Sequence, residues 1–401
     1  MAKSALNGIR AVELANMVSG PYCGKLLADM GAEVIKVEPP EGDPSRQCGP
    51  FPESGAHTER SALFLYNNTS KRGVTLNLDK TGGIVAFRKL LKWADVLIDN
   101  NPAQRLESLG LNWDTMCQLN PMLVYTSITP YGRTGPRAGD KGDELTIIHA
   151  GGLGNLLPTR SSDINRAPVK MGGYPVGYHA GLTAAVATLA ALLGRVKTGH
   201  GQIIDISLQE VILTLVRVNV ASSRYHDITW SRVPDRPPAM GRMKTIDGYI
   251  VVGAIEDHHF RAFTELMGNP EWAAGEEWGS MTYRRHHLME IAPKMDEWML
   301  TQRKDDIHHL GASKGIPMGP INTARDVMTS EQYTARGYFI TVDHPEAGSN
   351  RYAGWPYQMS ATPPHIQRPA PLLGEHNQEV YCTELGYSPE EFEQLKHNGV
   401  V

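Results

Sequence analysis

Cysteine is scarce in this chain: four residues in 401, Cys23, Cys48, Cys117 and Cys382, none in a Cys-x-x-Cys pair. That excludes a disulfide framework and a thiolate zinc site. Aromatics make up only 7%. Neither sign of charge dominates, since 39 basic residues face 43 acidic ones for a formal charge of −4, which argues against a chain built to coat nucleic acid. Long apolar runs are missing too. The longest, Leu182 to Leu193, falls short of the roughly 20 residues a bilayer span takes. Met1-Ala2-Lys3-Ser4-Ala5 lacks the apolar stretch of a signal peptide. The expectation is a soluble, cytoplasmic protein with no membrane or nucleic-acid partner.

What the chain does have is globular composition, 41% hydrophobic and 20% charged, with 40 glycines and enough length for more than one domain. Its first half alternates strands and helices. Ile9–Leu14, Ala32–Glu38, Gly73–Leu78, Asp95–Asp99, Leu123–Ile128 and Gln202–Ser207 read as strands. Pro21–Met30, Gly82–Trp93, Trp113–Leu119, Gly181–Arg195 and Leu208–Val220 read as helices. Such alternation predicts a parallel sheet covered on both faces. Residues 224–240, with Pro234, Pro237 and Pro238, have the composition of a linker. A hairpin at Met243–Val251 and helices rich in Trp and His follow. The division is therefore residues 1–222, a second region over 223–334, and a return over 335–401.

Four local patterns invite a function. Strand, turn, helix and a strand ending in Glu38 resemble a dinucleotide unit, but the turn Val18-Ser19-Gly20-Pro21-Tyr22-Cys23-Gly24 is no GxGxxG, and Pro21 removes a backbone donor. Gly311-Ala312-Ser313-Lys314-Gly315 matches the letters of a hydrolase elbow, yet helix precedes it where a strand is required. The doublets His258-His259, His286-His287 and His308-His309 point about 100° apart on a helix and cannot share one metal, so no metal site is expected. Two loops do better: Asn67–Arg72, and Gly132–Gly142 with Arg133, Arg137 and Lys141. With Asn100 and Arg105, they suit an anionic, phosphate-bearing ligand.

Eight blocks then agree, in order, with one family. Gly8–Leu14, Ser19-Gly20-Pro21, Leu27–Glu38, Ser70-Lys71-Arg72, Ala94–Ile98, Asn120–Tyr125, Thr198–Gln202 and Leu372–His376 together resemble the class III coenzyme A transferases of CaiB/BaiF type. The resemblance covers essentially the whole chain. It implies an α/β fold: a Rossmann-like large domain from both ends of the chain, a smaller α/β domain inserted, and an interlocked dimer. It implies coenzyme A (CoA) as a substrate, with no cofactor besides. Carried over, the CoA-lining positions are Met17, Val18, Lys71, Arg72, Asn100, Arg105 and Lys141, with Glu144 assisting catalysis. Pro39 departs from the arginine that contacts CoA in the oxalate-acting members.

The resemblance also implies a nucleophilic aspartate four residues before a Gly-Leu pair. Here Pro175-Val176-Gly177-Tyr178-His179-Ala180-Gly181-Leu182 puts Gly177 at that position. Between Lys170 and Gly181 the ionisable side chains are Tyr174, Tyr178 and His179, so no shift of register supplies a carboxylate. Asp143 and Gly177 also replace the His–Asp pair of the racemase branch. The expectation is a CoA-transferase subunit that is itself non-catalytic, acting with a homologous Asp-bearing subunit in an interlocked hetero-oligomer. Paired subunits of this kind occur in the branch that moves CoA from succinyl-CoA to aryl-substituted succinates. The alternatives are a CoA- or acyl-CoA-binding protein without turnover, and a self-sufficient homodimer using another residue such as Glu144.

Overall fold

The computed structural model describes residues 4–52, 55–161, 163–234 and 241–401. Met1–Lys3 and two prolines of the expected linker, Pro237 and Pro238, lie outside them. The chain divides into two compact units, Met1–Thr159 with Arg166–Arg232 and Tyr338–Val401, and Arg160–Asn165 with Val233–Gly337. The sequence put the second region at 223–334. Its main stretch instead runs over 233–337, and it takes in 160–165 as well, because two short strands, Arg160–Ser161 and Val233–Pro234, pair in parallel.

In chain order the first unit opens with β1 (Arg10–Leu14), α1 (Ser19–Asp29), β2 (Glu33–Glu38), α2 (Ala62–Asn67), β3 (Arg72–Thr75) and α3 (Thr81–Trp93). Then come β4 (Val96–Asp99), α4 (Gln104–Ser108), α5 (Trp113–Leu119), β5 (Val124–Thr129) and α6 (Glu144–Ala150). After β6 (Arg160–Ser161) follow α7 (Pro175–Thr198), β7 (Ile203–Ser207), α8 (Leu208–Leu215) and α9 (Arg217–His226). The six strands of its sheet run parallel in the order β3-β2-β1-β4-β5-β7. The chain winds outward from β1 through β2 to β3, then returns to β4 on the other side. The carboxyl ends of β1 and β4 thus border a topological switch point, where open α/β sheets bind ligands.

Burial explains this order. Alternate residues of the strands face two apolar clusters, Val12, Ile35, Val74 and Leu97 on one side and Ala11, Val34, Val96 and Ile98 on the other. The C-terminal segment closes the β3 edge: Tyr381 Oη donates to Thr75 O and the Asn77 N–H donates to Val400 O. Gly24 of α1 is required by close approach, since a β-carbon there would collide with Glu13 Oε2.

Two helices differ from expectation. α7 starts at Pro175 rather than Gly181, with proline in its first turn, where the missing N–H costs nothing. It is the one helix among the described residues long and apolar enough to cross a membrane, and half of its apolar window is buried in the fold. Ala180, Ala184, Thr188 and Ala191 face inward, and Thr188 Oγ1 bonds Thr126 Oγ1 of β5 at 2.7 Å. Leu208–Val220, read as one helix, breaks at Val216, where the buried stripe of α8 ends; α9 has no buried residue.

After β8 (Val233–Pro234), the second unit forms an antiparallel sheet from β9 (Gly241–Thr245), β10 (Gly248–Val252) and β11 (Met318–Pro320) in the order β11-β10-β9, with helices beside it. It packs its own core around Phe260, Phe263, Ile291 and Met295.

Candidate active site

The β1–α1 loop, Ala15–Val18, crosses the switch point. Asn100, just past β4, grips it reciprocally: its Oδ1 accepts the Asn16 N–H at 2.9 Å and its Nδ2 donates to Asn16 O at 2.8 Å. Nδ2 also donates to Ser19 Oγ at 3.1 Å. Met17 sits at φ 59°, the left-handed region that residues with a side chain seldom enter, and its N–H is held by Asp43 Oδ1 at 3.0 Å. Such backbone strain persists only where its surroundings over-determine it. Met17, Val18 and Asn100 are therefore brought together at the carboxyl edge of the sheet.

Facing this loop is the start of α7. The first turn of a helix presents unpaired N–H groups and positive dipole character. Here one carboxylate fills that need: Glu144, the first residue of α6, accepts the Gly177 N–H at 2.7 Å and the Val176 N–H at 3.1 Å. Burial raises the Glu144 carboxyl above the usual range, a shift moderated by those two N–H groups and by Lys170. Gly177 itself is buried, and a β-carbon on it would stand 2.8 Å from Val18 Cβ, 2.9 Å from Val18 Cγ1 and 3.2 Å from Glu144 Oε1. The space that a side chain at residue 177 would need is thus occupied, by Val18 on one side and Glu144 on the other. Tyr178 turns away into an edge-on contact with Tyr22 at 4.9 Å, and His179 is exposed with Nδ1 2.7 Å from Pro175 O. Asp143 caps α6 through Thr146 and offers no nucleophile to this pocket.

The remaining expected ligands lie elsewhere. Lys71 is fully buried; its ammonium pairs with Glu13 at 2.7 Å and donates to Pro21 O, Asn67 O and Asn68 Oδ1. Burial lowers it to about 8 against the pull of Glu13. It holds α1 to the sheet, a correction to its place among the CoA-lining positions. Arg72, at the start of β3, opens on the opposite edge, in a polar cleft of about 610 Å³, where it pairs with Glu33, Glu379 and Glu384. It does not join Met17. Arg105 stays on the carboxyl edge but is bound to Asp79 at 2.6 Å. Lys141 is exposed and makes no ion pair among the described residues.

Of the two loops expected to carry free cations, Asn67–Arg72 is buried, with Thr69 and Ser70 bonded to Asp29. In the other, Arg133 turns inward to Tyr125 Oη at 3.1 Å and Glu107 at 2.7 Å, and Arg137 pairs with Asp140 at 2.8 Å. Glu38, placed where an acid would hold a ribose, is buried in a two-point bond to Arg46. Ser313 ends a helix, Lys304–Ser313, and donates back to Leu310 O. Among the described residues no group of three or more His, Cys, Asp or Glu side chains could hold a metal ion. Sequence reasoning missed Asp43 and Lys36, both buried beneath the loop, and the part Val18 plays as a filler. The Gly42-Asp43-Pro44 turn was the available signal for the first.

The arrangement can hold a chain of peptide groups against a ligand at the switch point, but the first turn of α7 carries no carboxylate of its own, the one at its N–H groups being that of Glu144. Comparison with known proteins gives this geometry a context. The model of CoA-transferase family III matches residues 6–377. A formyl-CoA:oxalate CoA-transferase of Streptomyces avermitilis is 31% identical, covering 99% of both chains. The alpha subunit of a succinyl-CoA–L-malate CoA-transferase of Chloroflexus aurantiacus is 28% identical over 99% of this chain and 92% of its own. The crystal structure of a CaiB/BaiF family protein from Brucella suis superposes with a TM-score of 0.85 at 30% identity, covering 96% of this chain and 100% of that one.

Proposed function

The chain belongs to CoA-transferase family III, and from that premise we propose that it is the non-catalytic subunit of a hetero-oligomeric CoA-transferase. The family acts on CoA thioesters and needs no separate cofactor. In covalent CoA transfer a carboxylate oxygen attacks the thioester carbonyl, the C–S bond breaks and CoA leaves as thiolate. CoA thiolate attacks the enzyme-side carbonyl of the mixed anhydride so formed, releasing the donor acid and leaving an enzyme thioester; the acceptor carboxylate displaces CoA thiolate from it, and that thiolate takes the acceptor acyl group as the enzyme carboxylate leaves. The observation that carries our reading is Gly177: it has no oxygen to acylate, and Val18 closes the space a side chain would need. The attacking carboxylate then belongs to a homologous subunit. Succinyl-CoA as donor is in keeping with the name of the Chloroflexus relative, which is itself a subunit of a larger enzyme. An aryl-substituted succinate as acceptor follows from the resemblance in sequence.

An interlocked assembly is supported by apolar surface. α7 leaves Leu193 72% and Val196 83% exposed, with Leu182 and Val186 on the same helix, and α9 adds Val218 and Tyr225. Contiguous apolar faces of this kind mark interaction sites. A homologous subunit is the occupant we assign to them.

One observation favours a second reading, a self-sufficient enzyme: Glu144 Oε1 lies 3.2 Å from the point a Gly177 β-carbon would occupy, close to where a nucleophile is needed. Against it, both carboxylate oxygens of Glu144 are engaged by helix N–H groups. Chromatographic measurement of CoA exchange between succinyl-CoA and acceptor acids separates the two. Activity only when the chain is mixed with an Asp-bearing homologue supports our reading. Exchange by the chain alone overturns it.

A further inference from the structure

Two buried charges shape the β1–α1 loop from beneath. Lys36 is wholly buried and Asp43 is 2% exposed. The Lys36 ammonium donates to Ala15 O at 2.9 Å, to Asp43 Oδ2 at 2.8 Å and to Glu13 Oε1 at 3.1 Å. Asp43 Oδ1 accepts the N–H groups of Met17 at 3.0 Å and Ser45 at 2.8 Å. The pair therefore takes hold of the two peptide groups on either side of Asn16, the carbonyl of residue 15 and the N–H of residue 17. Asn100 grips Asn16 itself from the far side. Three side chains thus fix three consecutive residues, and the last of them stands in a left-handed conformation it would not hold unaided.

Packing alone does not call for ions here. Burying two charges is costly unless they are paired and their remaining bonding capacity is met, and apolar residues of the same volume fill a core at least as well. What an apolar pair cannot do is accept one loop N–H and donate to one loop carbonyl. We propose that Asp43 and Lys36 are positioning residues of the CoA site, holding Ala15–Met17 in the shape that CoA meets. The inference rests on the reading of Met17 and Val18 as CoA contacts.

The test is calorimetric titration of the purified full-length chain with free coenzyme A, alongside thermal unfolding, for wild type, Asp43→Asn and Asp43→Ala. Asparagine keeps an oxygen for the Met17 N–H but loses the charge opposite Lys36; alanine loses both. Both variants melt below wild type. CoA affinity stays within about threefold for Asp43→Asn and falls on the order of tenfold for Asp43→Ala, the effect of one unmet buried N–H. This split separates positioning from mere stability, which would move both variants together. Wild-type affinity in Asp43→Ala, or a loss in Asp43→Asn as large as in Asp43→Ala, overturns the proposal. If Asp43→Ala does not fold, Asp43→Asn decides alone, with a loss of about tenfold or more as the contrary result. A wild-type chain that takes up no CoA overturns the reading of the loop itself, and the inference falls with it.

Discussion

Replacing Gly177 with alanine ought to stabilise a helix, by roughly 0.5–1 kcal/mol from backbone entropy. Here the opposite is expected. The new β-carbon would lie 2.8 Å from Val18 Cβ and 2.9 Å from its Cγ1. Val18 is 3% exposed and its Cβ is fixed to the backbone at the start of α1, so it cannot swing aside. Overpacking of this kind costs about 1–3 kcal/mol, which exceeds the propensity gain over most of that range. Gly177→Asp suffers the same clash and adds a second carboxylate beside Glu144, so one of the two must take up a proton or move. At about 1–2 °C per kcal/mol for a unit of this size, the steric term alone lowers the melting temperature by roughly 1–6 °C. The assay is thermal unfolding of Gly177→Ala, Gly177→Asp and Gly177→Asp with Val18→Gly. The double variant removes every Val18 atom in the clash and should melt above Gly177→Asp. Gly177→Ala melting at or above wild type would refute the claim that Val18 fills the space beside Gly177. For the same reason Gly177→Asp alone should not restore CoA transfer.

Glu144→Ala removes the acceptor for two N–H groups of α7 and should cost about 0.5–2 kcal/mol by thermal unfolding, as loss of a helix cap does; an unchanged melting temperature would contradict the cap. The Asp43 carboxyl would be raised by burial, but Lys36 and the N–H groups of Ser45 and Met17 outweigh burial and hold it below the usual range. The folded chain therefore binds fewer protons than the unfolded chain near pH 4, and Asp43 contributes stability above about pH 4 that is lost as pH falls through its folded value. Melting temperature should drop more steeply from pH 5 to pH 3 in wild type than in Asp43→Asn; parallel curves would contradict this. Leu193→Glu with Val196→Glu, both on the exposed face of α7, should lower the mass seen by sedimentation, whereas an unchanged assembly would show that this face is not an interface.

Periodicity carried much of the fold. Strands such as Ile9–Leu14 and Leu123–Ile128 and helices such as Trp113–Leu119 could be read from apolar spacing, because the sheet is buried on both faces. The short helices α2 and α6 could not, since their starts depend on Ser61 and Asp143 as caps rather than on a long apolar stripe. That residue 177 is a glycine was legible because it needs only a residue identity. The roles of the charged residues were not. Lys71 and Arg72 are neighbours in sequence, yet one neutralises Glu13 in the core and the other bridges three glutamates at the far sheet edge. A cation's type shows in the sequence; its partner depends on which strand edge it faces. Asp43 and Lys36, and the part Val18 plays as a filler, escaped notice for the same reason, as their work is done on backbone groups and empty space.

The central claim is that the acyl–protein bond of the reaction never forms on this polypeptide. Incubation of the chain and an Asp-bearing homologue with succinyl-CoA, followed by hydroxylamine or borohydride trapping and peptide mass spectrometry, reads it directly. The modified carboxylate is expected on the homologue alone. A trapped adduct on this chain, at Glu144 or anywhere else, would contradict the account.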